Sequence, residues 1–340
     1  MIRLGVVIIG RNEGERLRGC LESVVDSGRP VVYVDSGSTD GSVALARALG
    51  VEVVVLDLAT PFTAARARNA GVEGLLQLAP HVHFVQFVDG DCLVVDGWLD
   101  RGLQELEARP DVVVVCGRLR ERFPERSIYN RLADLEWDTP IGESDACGGI
   151  AMMRLVAFRA VGGFDPSIPT GEEPELCLRL RGQGWKVVRL EADMARHDIA
   201  MTRFGQWWMR QCRSGYGSLD VVTRSHDRKT APFARQVYSA RLWTVGWILV
   251  TAAAGGLAGS IGGSMAGIWA AGLLSLAPAL QSIRIAARVR PRIKDNRVAI
   301  SYGMLTMIGK WGELIGQIRY LCDLTRGHHA RLIEYKHATP

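Results

Sequence analysis

Asp89 and Asp91, two carboxylates flanking Gly90, follow the apolar run at residues 84–88. Side chains at i and i+2 share one side of a strand, and a glycine between them lets a ligand approach the backbone closely. Two hard oxygen ligands suit Mg2+ or Mn2+, which takes its remaining ligands from water and substrate phosphates. The same tripeptide is also an ordinary turn, so its company decides its meaning. Asp35 closes another apolar run and opens the loop at residues 35–42, where it is placed to accept hydrogen bonds from a base or ribose; Asp40 can cap the next helix. Arg66 and Arg68, two apart on a helix, face different sides, so one can meet a diphosphate while the other pairs on the surface. Glu172 and Glu173 precede Pro174, which suits the first turn of a helix. A helix N-terminus favours the ionised form of a carboxylate that takes a proton, although an acidic helix start is common without any such role.

These residues need elements to hold them. Short β-branched runs at residues 6–9, 31–34, 51–56, 82–88 and 112–115 read as strands buried on both faces. Helical stretches at 15–27, 42–49, 64–78 and 98–109 lie between them. Strand and helix in alternation predict an α/β fold with a mostly parallel sheet. Ligands on such sheets sit beyond the carboxyl ends of the strands, where the loops at 10–13, 35–40 and 89–91 fall. From 117 to 198 the pattern loosens, apart from a helix after Pro174 and a strand at 186–190.

The net charge of +5 is mild and the basic residues are not interleaved with aromatics, so no nucleic-acid partner is expected. Seven single cysteines show no ligand spacing for zinc, and their odd, dispersed set suits a reducing compartment. The N-terminus lacks a signal-peptide pattern, which predicts a cytosolic front half. From 242 to 283 the chain carries no charge and is dense in Gly and Ala. A membrane helix needs about 20 apolar residues, so this stretch has room for a hairpin broken near 259–263, with a buried soluble hairpin as the alternative. Arg224, Arg228, Lys229, Arg235 and Arg241 precede it; Arg284, Arg288, Arg290, Arg292, Lys294 and Arg297 follow it. Basic flanks put both ends on the cytoplasmic side of an inner (plasma) membrane. The tail at 298–325 can lie in the interface, pack on the hairpin or span.

Six motifs in order resemble family 2 glycosyltransferases: Ile9-Gly10-Arg11-Asn12-Glu13, Val34 to Asp40, Ala67-Arg68-Asn69-Ala70-Gly71, Asp89-Gly90-Asp91, Gly162-Gly163-Phe164-Asp165 and Gly171 to Leu176. The likeness covers about residues 1–200. It implies a GT-A fold, a nucleotide-sugar donor, a divalent metal (Mn or Mg) and inversion at the anomeric carbon. By position it implies that Asn12, Glu13 and Ser38 line the nucleotide pocket, that Asp35 meets the base, and that Arg68 lies near the diphosphate. Asp89 falls by the ribose or metal, Asp91 on the metal, and His197 near either metal or diphosphate. Glu173 matches the usual catalytic base, although the family's Glu-Asp pair is Glu-Glu here and Glu172 is a possible substitute.

On the acceptor side stand Gly148, Gly149, Trp207 and Trp208, the last two as an acceptor platform, a lipid approach or plain core. Residues 206–210 are similar to the Gln-x-x-Arg-Trp signature of polymerising synthases, but the spacing does not match. The expected organisation is a catalytic domain over 1–223 and a membrane-associated helical region over 224–340, acting on a membrane-associated acceptor, lipid-linked or glycan. The rivals are a nucleotidyltransferase, disfavoured by Arg11-Asn12-Glu13 after the first strand, and a non-catalytic membrane-bound protein that binds a nucleotide sugar.

Overall fold

The computed structural model describes residues 3–225, 233–293 and 295–326. Arg228, Lys229 and Lys294 of the basic flanks, and Met1 and Ile2, lie outside the described residues. In chain order the elements of the first two-thirds are β1 (Leu4–Gly10), α1 (Glu15–Val25), β2 (Val31–Asp35), α2 (Ser42–Ala48), β3 (Glu52–Val55), α3 (Ala64–Leu78), β4 (Phe84–Asp89), β5 (Cys92–Val94) and α4 (Trp98–Ala108). They continue through β6 (Val112–Glu121), α5 (Ile128–Glu136), β7 (Gly142–Glu143), β8 (Ala151–Arg154), α6 (Leu155–Ala160), α7 (Glu172–Gly182) and β9 (Lys186–His197).

The chain divides into two compact units. The first, up to Arg126 and from Ala133 to Ala200, is built on one sheet in the order β3-β2-β1-β4-β8-β6-β9-β5, with β7 paired to β9. The neighbours β3-β2-β1-β4 are parallel, as the alternating pattern predicts. β8 then runs antiparallel between β4 and β6, and β9 returns parallel to β6. Val6, Val7 and Ile8 of β1 and Phe84 to Val88 of β4 are fully buried, the signature of strands covered on both faces. β3 departs from that expectation: it is the sheet edge, and Val55 stays 54% exposed. An edge strand has one open flank, so a β-branched run alone does not guarantee burial.

Among the described residues the second unit takes Ser127–Leu132 and the chain from Met201 to Arg326. It contains α8 (Phe204–Arg224), α9 (Ala234–Arg241), α10 (Trp247–Gly262), α11 (Ser264–Ser275), α12 (Ala277–Val289) and α13 (Asn296–Thr325). The expected boundary at residue 223 thus falls at the end of α8 rather than before it. Continuous helical runs Ala234–Gly262 and Ser264–Arg292, each of 29 residues, are long and apolar enough to cross a membrane, and none of either apolar window is buried. A soluble core hairpin would bury its apolar faces; here Leu257, Ile261, Ile268, Trp269 and Leu273 are all more than 60% exposed. The reversal comes at Gly263, whose φ of 84° is open to glycine.

The tail forms one helix, α13, packed on α8 and α12. Glycines on both helices allow the contact with α8: a methyl group at Gly316 of α13 would strike the Cys212 carbonyl, and one at Gly215 of α8 would strike the Glu313 backbone. Gly316→Leu should therefore cost about 1–3 kcal/mol, read as a lower midpoint of thermal unfolding in detergent. Trp207 is 2% exposed and packs against Tyr129 and Phe204, so for this residue core packing replaces the acceptor platform. Trp208 is only half-buried and stacks on Phe204.

Candidate active site

The loops at the carboxyl ends of β1 and β2 are braced on each other. Asn12, at φ 55°, donates its backbone N–H to Ser38 Oγ (2.9 Å) and accepts the Thr39 N–H at its Oδ1 (2.7 Å). Gly14 N–H donates to Asp40 Oδ2 (2.9 Å), and Ser36 N–H to the Gly10 carbonyl (3.1 Å). Asp40 also accepts from Ser42 N–H and Oγ, but the residue at the N-cap of α2 is Gly41, so Asp40 braces the turn before the helix rather than capping it. Asp35 is 1% exposed, and its carboxylate is occupied by Tyr33 Oη and the Gly37 and Ser38 N–H groups. Its visible work is shaping the loop. Glu13 lies beside this loop, paired with Arg16 at 2.9 Å.

α3 starts with Thr63 capping the Arg66 N–H at 3.0 Å. The two arginines part as their spacing predicts. Arg66 turns outward to the Asp57 and Thr60 carbonyls, whereas Arg68 is 2% exposed. Arg68 bonds Asp89 Oδ1 at 2.9 Å and Glu172 Oε1 at 2.5 Å, and lies 5.5 Å from the Phe164 ring centroid. Burial opposes its charge, but the two carboxylates outweigh that and hold the guanidinium protonated. A methyl group at Gly149 would come within 2.7 Å of Arg68 Nη2, so Gly149 gives the arginine its room; Gly148 sits beside it at φ 81°. Arg68→Ala would leave Glu172 buried without its cation, and should cost about 3–5 kcal/mol in denaturant unfolding.

Asp89 and Asp91 do not share a side. β4 ends at Asp89, so strand alternation no longer governs Asp91. Asp89 turns to Arg68, while Asp91 Oδ2 meets His197 Nε2 at 3.0 Å. Gly90 is packed close to the Ile9 carbonyl and the Glu13 side chain, so its smallness serves contact with β1 rather than an open approach for ligand. Asp91, Cys92 and His197 place their ligand atoms within 4.8 Å of one another. Cys92 pairs with His197 across β5 and β9, and the Asp198 N–H donates to the Asp91 carbonyl (3.1 Å), which fixes the approach. A carboxylate and an imidazole, both largely buried and on rigid strand ends, fit a single divalent cation. Asp89 stands outside this cluster.

The paired glutamates also diverge. α7 begins at Glu172, with Gly171 before it at φ 91°. Glu172 belongs to Arg68; Glu173 Oε1 accepts the Cys147 N–H (2.6 Å) and the thiols of Cys147 and Cys177 (both 2.9 Å). Glu173 is 5% exposed, and burial outweighs those hydrogen bonds, raising its pKa. That reverses the expectation that the helix start would favour the ionised form. Burial also raises Cys147. The Cys147 hydrogen bond lowers Cys177, but burial and the neighbouring carboxylate prevail and push it up to about 11. Both thiols thus keep the protons they donate.

Further residues support the site, most of them without a signal in the sequence. Asn69 donates to the Phe164 carbonyl (2.8 Å) and accepts its N–H (3.0 Å), clamping the Gly162-Gly163-Phe164-Asp165 loop onto α3. The Trp137 ring lies 4.9 Å from that of His197. Glu121, at the end of β6, accepts the Phe123 and Ile199 N–H groups and has its pKa raised by burial. Asn69 lies within a quoted motif, but no spacing in the sequence joins Trp137, Cys147, Cys177 or Glu121 to the site.

Residues 5–162 match the model of glycosyl transferase family 2. The chain is 28% identical over 240 residues to the pre-mycofactocin glycosyltransferase of Mycobacterium tuberculosis, covering 67% of this chain and 49% of that one. It is 28% identical over 198 residues to the succinoglycan biosynthesis protein ExoA of Rhizobium meliloti, covering 54% of this chain and 59% of the other. The chain thus spans about half the length of the first of these relatives. In fold it is similar to the mannosyltransferase PcManGT from Pyrobaculum calidifontis, solved with GDP-Man and Mn2+, at 16% identity and a TM-score of 0.57 over 94% of this chain and 87% of that one. Four of the six motifs, from Ile9-Gly10-Arg11-Asn12-Glu13 to Asp89-Gly90-Asp91, fall within the residues that match glycosyl transferase family 2.

Proposed function

We propose that the protein is an inverting, metal-dependent glycosyltransferase that moves a sugar from a nucleoside diphosphate sugar to a membrane-associated acceptor, lipid-linked or glycan. The observation that carries this reading is the buried Arg68, which bonds Asp89 of the acidic turn and Glu172 of the glutamate pair at once. On this reading the donor side and the acceptor side of a transfer reaction lie next to each other around Arg68.

In this reading Asp91 and His197 hold one Mn2+ or Mg2+, with Asp89 alongside on Arg68. Such a cation supplies Lewis-acid stabilisation to a departing diphosphate. The braced loops carrying Asn12, Glu13, Asp35 and Ser38 receive the nucleotide. Glu173 takes the proton of the attacking hydroxyl, with Gly148 and Gly149 lining the acceptor approach and Glu172 holding Arg68 in place. A raised pKa suits a base that must accept a proton near neutral pH. The reading of Glu172 as the base is weaker, because its carboxylate is spent on Arg68.

The exposed apolar hairpin and its basic flanks support an anchor in an inner membrane with the catalytic unit on the cytoplasmic side. The relative named for succinoglycan biosynthesis supports a place in polysaccharide or glycolipid assembly. A screen of nucleotide sugars for Mn2+- or Mg2+-dependent release of nucleoside diphosphate tests the donor half. Adding soluble and lipid-linked acceptors tests the other half; equal turnover on both would remove the membrane acceptor from this reading.

A further inference from the structure

Cys147, Glu173 and Cys177 bring three ligand atoms within 4.8 Å of one another, in a cluster separate from that of Asp91, Cys92 and His197. Cys147 comes from the loop before β8 and Cys177 from α7, one helical turn beyond Glu173. Their sulfurs are 3.8 Å apart. Two thiolates on a tetrahedral zinc, each at about 2.3 Å, stand about 3.8 Å apart by simple geometry. The third atom, Glu173 Oε1, already faces both sulfurs at 2.9 Å. In a zinc site that oxygen would lie about 3.6 Å from each sulfur, so it need withdraw by only ~0.7 Å, within the reach of a glutamate. Cys147 is half-buried and Gly148 exposed, so a hydrated cation has a way in and a fourth position for water.

We propose that Cys147, Cys177 and Glu173 form a second metal site, selective for a thiophilic divalent cation such as Zn2+ or Cd2+ over Mn2+ or Mg2+. Binding exchanges the two thiol protons for the cation, with no change of oxidation state. Selectivity follows from the donors: thiolates prefer Zn2+, whereas a carboxylate-rich site suits Mg2+ or Mn2+. An occupied site also takes the Glu173 carboxylate, so the cation inhibits transfer. That consequence, unlike the site, rests on the reading of Glu173 as the base.

The test is a titration of the full-length protein in detergent, with Mn2+ and a phosphine reductant present so that no disulfide forms. Cd2+ is the probe, and its ultraviolet sulfur-to-cadmium charge-transfer band the readout. One equivalent should raise the band, Cys147→Ser and Cys177→Ser should each weaken binding by roughly 10–100-fold or more, and Cys92→Ser should leave it intact. Glu173→Gln retains both thiols, so it should keep the band at lower affinity even if a cysteine variant folds poorly. No band, or a band that survives both Cys147→Ser and Cys177→Ser, overturns the site. In parallel, Zn2+ should depress turnover of the wild type but not of Cys147→Ser. A band without any loss of turnover upholds the site and counts against Glu173 as the base.

Discussion

Asp91→Ala should reduce Mn2+-dependent turnover by about 10³-fold, the equivalent of several kcal/mol of Lewis-acid stabilisation. Asp91 is the buried partner of His197, and no other carboxylate joins those two atoms in the same cluster among the described residues. The substitution should spare the fold, because the β5–β9 pairing from Cys92 to His197 and the Asp198 N–H bond use main-chain groups. His197→Ala should cost less, since an oxygen ligand matters more than an imidazole to Mn2+ or Mg2+. Measured as nucleoside diphosphate release across a Mn2+ titration, wild-type turnover in Asp91→Ala would refute the metal assignment.

Glu173→Gln should lower kcat by about 10²–10⁴-fold, the usual worth of a positioned general base, while leaving donor affinity near that of the wild type. Glu172→Gln should show the opposite balance. It loosens a buried ion pair to Arg68, so its main effect is on stability and, through Asp89, on donor binding. The wild-type pH profile should add a second mark. Burial raises the Glu173 pKa, so the base is lost to protonation as pH falls through that raised value. The acidic limb of kcat should therefore lie above the ordinary glutamate range, and it should be missing from Glu173→Gln. A Glu172→Gln variant that loses kcat alone, with the stability and KM of the wild type, would move the base to Glu172.

The parallel half of the sheet, the strand-end loops and the exposed hairpin were all legible in the sequence, because each rests on local period or on an uncharged run. What was illegible is where a side chain turns once regular structure stops. Asp89 and Asp91 looked like one pair because alternation was carried two residues past the end of β4. Glu172 and Glu173 looked interchangeable at a helix start, yet adjacent positions on a helix point about 100° apart, one to Arg68 and the other to the cysteines. Cys147 and Cys177 lie 30 residues apart and meet only through tertiary folding. β5 and β7, of three and two residues, are too short to carry a period at all. Trp207 beside Trp208 could not be sorted into core and surface without knowing which face α8 buries.

The bracing of the first two loops has a kinetic corollary. Asn12 and Asp40 already tie the β1 and β2 ends together, and Asp35 has already wound its own loop. If the proposed donor site is right, a nucleotide arriving there meets a mould that is set, so association involves little chain ordering. Its arrival should then be a single diffusive step, without the slow second phase that a closing flap would impose on the nucleotide end.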